Sequence, residues 1–570
     1  MISVKHQPAR DRSSVLGILV LLSLACSGTS DVLHGRLRAN SSDLEGALAG
    51  DSRTSAQRGM IRFLYDDLGG LRVDGRTANA LPWKLVVAAL VLQRNERLGR
   101  RAIDRGDLPA VFAEFGLVIP DEIENWPGGH TPMLPKDRPV GMVTGIAAYR
   151  VPSVKVQIGN VGCASCHAGV TYDSSGMPTR RLWLGLPNSS VNLQGFATAA
   201  YRALKSETAN RARLLAAVDT LFPDIDARER RSLERLVIPR VDKRIRELAS
   251  TIDAPSPFDN GGPGHTNGAA AMKYQLSLVA ADRMAPDAGF VSVPDLAHRE
   301  LRSSLLADGG YAVPGQSRFV AMTPADVTTS HTDDLARIVA LFAVPVMGIR
   351  IEDAPHAIPA VEEMMGFLRT YRPPPFPGTI DTTLALAGAS AFAARCSGCH
   401  GEMADDASGR VTITRYPNRL VRQSDIGTDR ARLETIDAPL ISALRASGYS
   451  RYIDVDSTGG YVAPQLGGVW ATAPYLHDGS IPTLWHLMHP SERPSRFELG
   501  GHRLDFTRVG IAGETDSTGT MRYPAGYKPW SIPFMYDTHT RGRGNAGHTR
   551  PFDRMSEEEK RAVVEYMKRF

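Results

Sequence analysis

The sequence predicts a mainly α protein: two compact domains of similar plan, carrying extended loops, behind an N-terminal extension. Three observations predict it. A five-residue pattern, C-x-x-C-H, occurs at Cys163–His167 and again at Cys396–His400. The chain closes on an apolar stripe at helical spacing, formed by Ala562, Val563, Tyr566, Met567 and Phe570. Between the motifs, Pro373, Pro374 and Pro375 stop a helix whose apolar face is Val361, Met364, Met365, Leu368 and Tyr371. A chain of 570 residues is also too long for one core.

Composition narrows the class. Apolar content of 42% with 22% charged residues is ordinary for a globular protein. The net charge of +5 comes from 66 basic and 61 acidic residues, too balanced for a nucleic-acid binder, and no stacking-aromatic motif accompanies it.

In chain order, residues 1–26 read as an export signal. Lys5, Arg10 and Arg12 precede the apolar run from Val15 to Cys26. That run is too short to span a membrane. "LSLAC" is similar to a lipoprotein cleavage box with Ser23 in place of the usual Leu, which would make Cys26 a lipid anchor. The expected location is periplasmic or secreted. Residues 27–150 form the extension, with one helix over "PWKLVVAALVLQRNERLGRRAI". The first domain covers 151–372. Valine-rich "YRVPSVKVQIGNVG" leads into its motif as extended chain, and "DARERRSLERLVIPRVDKRIRELAS" follows as helix. The second domain covers 378–570. There "TLALAGASAFAAR" is a helix feeding the motif, and Ser556 with Glu559 is a capping box for the last helix.

The five cysteines are Cys26 and the two pairs. A pair alone reads as a disulfide or a redox dithiol, and four thiols together could hold zinc. The histidine decides between these readings. Two thiols three residues apart reach the two vinyl groups of one porphyrin edge, and the next residue turns under the ring to give imidazole to the iron. Cys163 and Cys166 therefore anchor one covalent haem c with His167 as ligand. Cys396 and Cys399 anchor a second with His400. A helix running into the motif and a terminal helix packing on it is the cytochrome c plan.

Further stretches carry a family resemblance. "GVWATAPYLHDGSIPTLWHLMHPSERP" (468–494), "FLRTYRPPPFP" (367–377), "CSGCHG" (396–401) and "LPNSSVNLQGF" (186–196) resemble the diheme cytochrome c peroxidase and MauG superfamily, nearest its rubber-oxygenase branch. The resemblance implies catalysis at the first haem, with His167 the catalytic ligand, and electron transfer at the second. It implies that the histidine of "AGHTRPF", His548, is the sixth ligand of the second iron; Met488 is the rival. His477 reads as a neighbour of the haem rather than a ligand. Asn188, Thr472 and Pro474 match loosely a calcium site between the domains, with plain turn chemistry as the alternative. One departure stands out. Relatives place a Trp between the haems, yet none occurs here between Trp183 and Trp470, and "SSLLADGGY" (303–311) has Leu and Ala where the Trp is expected.

For the first iron, His130, His265, His298, His331 and His356 all lie in polar or loop contexts. That iron is expected to be open and to bind peroxide or dioxygen. The leading expectation is peroxide reduction, with electrons from a small cytochrome or cupredoxin entering through the second haem. Proton delivery would come from a Glu or His between 250 and 360. The alternatives are a dioxygen-dependent oxygenase of the rubber-cleaving type and a diheme electron carrier without catalysis.

Overall fold

The computed structural model describes residues 37–38, 42–49, 53–68, 71–73, 81–126, 134–149, 154–252, 259–278, 287–346 and 351–570. The expected export signal and Cys26 lie outside these residues, as does His130. Of the described residues, helix accounts for 43% and strand for 16%.

The first half is built on hairpins. Strand β1 (Leu81–Pro82) pairs antiparallel with β3 (Val154–Val161), and β3 pairs along its length with β2 (Met142–Tyr149). Val154, Val156 and Ile158 supply the β-branched residues that favour this pleated surface. The chain leaves β3 directly into the first motif, a single 3-10 turn over Cys163–Ser165. It then forms the antiparallel pair β4 (Ala168–Tyr172) and β5 (Pro178–Leu184). The first motif thus sits between two hairpins.

Two helices of the expected extension are built into this half. Helix α1 (Ser55–Tyr65) crosses α5 (Ile358–Leu368), with α4 (Thr329–Val346) alongside. A Cβ at Gly59 would lie 2.4 Å from the Glu363 carbonyl, so this crossing needs glycine. Helix α2 (Trp83–Arg97) is buried from Leu85 through Leu92 and packs against α3 (Leu193–Glu207). Trp83 stacks on Phe112, with ring centroids 5.6 Å apart. The segment from Ala227 to Ile252 is helical with a π-turn at Leu233–Val237.

After α5, Tyr371 is buried and the Pro-rich stretch follows. Helix α6 (Thr382–Arg395), capped by the Asp381 carboxylate, runs into α7 (Ser397–His400). The terminal helix α8 (Glu557–Met567) opens on the expected Ser556–Glu559 capping box and crosses α6. The halves are stitched together by a small sheet. In it β6 (Ser304–Leu305) pairs with β7 (Tyr311–Ala312), which pairs with β8 (Asp454–Val455).

Candidate functional site

A cavity of about 1290 Å³ runs through the middle of the protein. Cys163, Cys166 and His167 line it from one half, and Cys396, Cys399 and His400 from the other. It exceeds the roughly 300–1,000 Å³ of a drug-sized pocket. All four cysteines are free thiols. Burial pushes the thiols of Cys163, Cys166 and Cys396 up to about 12. They are therefore neutral thiols in an apolar wall.

At the second motif, His400 Nδ1 donates to the Pro464 carbonyl at 2.9 Å, which leaves Nε2 free. The ring of His548 lies opposite, its centroid 6.1 Å from that of His400 at an interplanar angle of 48°. A metal–imidazole bond of about 2.0–2.1 Å, with about 1.1 Å from nitrogen to ring centre, puts two trans imidazoles about 6.2 Å apart. The separation of the pair is the one that two imidazoles holding one metal atom would have. His548 reaches this place by strained backbone: its φ is +46°, and its N–H donates to the Ile426 carbonyl at 2.7 Å. Its buried Nδ1 has no hydrogen-bond partner. Burial, and next the nearby His400, lower its pKa to about 4, so the ring is neutral and able to ligate. Burial likewise lowers the pKa of His400.

Met488 also lines the cavity, from the short helix Leu484–Met488, but the ring facing His400 is that of His548. His486 is held by Thr483 Oγ1 at 2.8 Å. His489 is tied to the Trp485 carbonyl and the Glu557 carboxylate, each at 2.8 Å. His477 lines the cavity with its ring stacked on Tyr461, centroids 4.1 Å apart.

At the first motif, burial first and Arg299 second lower the pKa of His167 to about 4, with the Pro294 carbonyl acting the other way. Nδ1 is buried and makes no hydrogen bond of full geometry. The Phe63 ring packs 6.5 Å away. Of the histidines weighed for the other face of this iron, His298, His331 and His356 do not line the cavity. His265 does, its ring nitrogens 2.7 Å from the Pro263 carbonyl and 2.9 Å from the Asp478 carbonyl; burial lowers its pKa to about 4, so the neutral ring donates its single N–H to one of the two.

The remaining expected residues are scattered. Asn188 Nδ2 donates to the Gly116 carbonyl at 2.8 Å, and its Oδ1 accepts from Ser190 N, so its amide serves a turn beside the first motif. Thr472 and Pro474 line the cavity, and the Thr472 hydroxyl donates to the Val469 carbonyl. Trp183 Nε1 donates to the Arg372 carbonyl at 2.8 Å. Trp470 is buried against Phe376, its Nε1 without a partner.

Sequence reading missed an internal repeat. "VPDLAHRELRSSLLADGG" (293–310) and "APQLGGVWATAPYLHDGS" (463–480) share P-x-L-x9-L-x-D-G, the signal that could have found it. Their structures agree. Each holds one 3-10 turn, Arg299–Leu301 or Val469–Ala471. Each has left-handed residues at matching places: His298 and Gly468, then Leu306 and Leu476. Each closes with an antiparallel contact, Leu305 to Tyr311 or Tyr475 to Ile481. The shared proline supplies the carbonyl that acts on each motif histidine.

A family model described as RoxA-like, cytochrome c-like, matches residues 460–498, which contain the second copy of this repeat. Two relatives come from Sinorhizobium fredii (strain NBRC 101917 / NGR234). One, the uncharacterized protein y4iM, is 31% identical over 212 residues, covering 32% of this chain and 45% of its own. The other, the uncharacterized protein y4iJ, is 28% identical over 232 residues, covering 31% of this chain and 36% of its own. The chain thus spans less than half the length of each. Together the motifs and the matched segment support a cytochrome c-like, haem-dependent protein with covalently bound haem c.

Proposed function

We propose that the protein is an exported diheme c-type oxidoreductase: a small oxidant reacts at the first haem, and the second transfers electrons. The single observation that carries this is the shared cavity, which both C-x-x-C-H motifs line and in which, among the described residues, only the second motif histidine is faced by another imidazole. Haem iron supplies one-electron redox chemistry and, where a sixth position is open, a site for the oxidant. The chain does the rest. Cys163, Cys166, Cys396 and Cys399 fix the two rings by thioether bonds. The Pro464 carbonyl orients His400 and raises its basicity as a ligand. His548 closes the second iron against small molecules.

Two chemistries fit an open first iron. Among the described residues between 250 and 360, His265 and Asp295 are the imidazole and carboxyl groups on the cavity wall. His265 lies between two carbonyls. Asp295 accepts from Tyr371 Oη at 2.9 Å and from Ala297 N at 2.7 Å. Apolar side chains such as Leu305, Val339 and Phe342 line the same cavity, which favours a dioxygen-dependent oxygenase acting on an apolar organic molecule. The RoxA-like match supports the same reading. Peroxide reduction is the second reading, favoured by the imidazole-closed second site, which suits electron entry from a small cytochrome or cupredoxin.

The test is spectroscopic. In protein matured with its haems and reduced, carbon monoxide should shift the Soret band of one haem and leave the other unchanged. Oxygen uptake with a polyisoprene latex, giving carbonyl products, supports the oxygenase. Consumption of peroxide by reduced protein without such products supports the peroxidase. Two haems that both ignore carbon monoxide and peroxide would make the chain a carrier and end the catalytic reading.

A further inference from the structure

The two halves share a repeat, yet their charges differ. Arg299 and Arg302 line the cavity on the side of the first motif. Their counterparts in the second copy, by the shared P-x-L spacing, are Val469 and Thr472. Arg302 is 2% exposed. Its Nε donates to the Ser304 carbonyl at 2.8 Å and one terminal nitrogen to the Leu306 carbonyl at 2.9 Å. Arg299 Nε donates to the Asp295 carbonyl at 2.8 Å. Among the described residues, neither guanidinium has a carboxylate within 4.0 Å. Elsewhere in this protein a buried guanidinium has its partner: Arg432 meets Asp308 at 2.8 Å.

A buried cation and a half-buried one side by side, with only carbonyls as hydrogen-bond partners, are unfavourable without an anion. The Arg299 pKa falls to about 10, through burial first and Arg302 second. Asp295 and Glu300 are themselves pushed up to about 7 by burial and so are only partly ionised at neutral pH. The cavity wall therefore has a place for one or two carboxylates brought in from outside the chain.

We propose that Arg299 and Arg302 are an anion clamp for the propionate carboxylates of the haem held at Cys163, Cys166 and His167, and that the matching positions of the second copy, Val469 and Thr472, give the second haem no such pair. The inference rests on the diheme reading above. It has a directional consequence. Positive charge beside the first iron favours its reduced state, so electrons entering through the second haem run downhill to the first. Arg299 is also close enough to His167 to lower its proton affinity, which places this charge near the iron ligand.

The test uses the holoprotein with Arg299→Gln, Arg302→Gln and Arg299→Lys. Haem stoichiometry is read from the pyridine haemochrome, and the two midpoint potentials from spectroelectrochemistry. Both Gln variants should retain two haems while one potential drops and the other stays in place. Arg299→Lys should keep the potential close to that of the unaltered protein, yet shift the propionate-bending band in resonance Raman because its forked donation is lost. That band also decides the matter if a Gln variant fails to fold. Two haems with neither potential moved, or both moved equally, would overturn the clamp, as would an unshifted Raman band in Arg299→Lys. A chain that takes up no haem at all fails the diheme reading instead.

Discussion

His548 shows how one residue can carry a site. Its loop brings it over the face of His400 because Gly547, at φ +82°, passes where a Cβ would lie 2.3 Å from the Gly427 carbonyl carbon. His548→Ala should convert the second haem from low-spin to high-spin and open it to carbon monoxide, read by EPR and the Soret band. His548→Met should keep it low-spin and raise its potential. Asp295 gives a pH prediction. Burial raises its folded-state pKa from 3.8 to about 7, so the folded protein binds a proton that the unfolded chain has lost. Stability then falls as pH rises from about 4 to about 7 and is level above. Asp295→Asn should remove that slope and gain on the order of a few kcal/mol at pH 8, measured by denaturant titration at several pH values. The motif residues were legible in sequence because covalent attachment fixes their spacing. The Pro294 and Pro464 carbonyls were not, since a backbone oxygen leaves no mark on residue identity and shows only once the repeat is seen.

Among the elements, the crossing of α6 and α8 at Gly388 is the most exposed to test. A Cβ there would fall 1.9 Å from the Ala562 carbonyl oxygen and 2.9 Å from Tyr566 Cβ. Gly388→Ala must therefore push the helices apart, costing about 1–3 kcal/mol in denaturant titrations. It should also weaken the retention of the second haem. These helices were readable in advance because caps and apolar stripes are local signals: the Ser556–Glu559 box forms as spelled. The surroundings of the first motif were readable only in part. Valine alternation announced the strand before Cys163, but the pairings of β3 with β1 and β2 join distant residues. The helices before residue 127 looked like an appendage because nothing local in α1 says that its glycine face meets α5.

At the scale of the molecule, the two halves are one folded unit. Asp308 and Arg432 are 3% and 2% exposed and bridge the halves beside the β6–β7–β8 sheet. Arg432→Ala leaves a buried carboxylate alone and should cost about 3–5 kcal/mol, and the pair replacement Asp308→Leu with Arg432→Leu much less. Calorimetry should show one transition, since separating the halves would strand both the pair and the cavity wall. The central claim is that one cavity holds two covalent haems with unequal sixth positions. Intact mass of the chain from a host that matures c-type cytochromes, paired with the reduced spectrum under carbon monoxide, tests it most directly. We expect the added mass of two haems, one of which binds the gas. An unmodified mass, a single haem, or two haems that respond alike would contradict it.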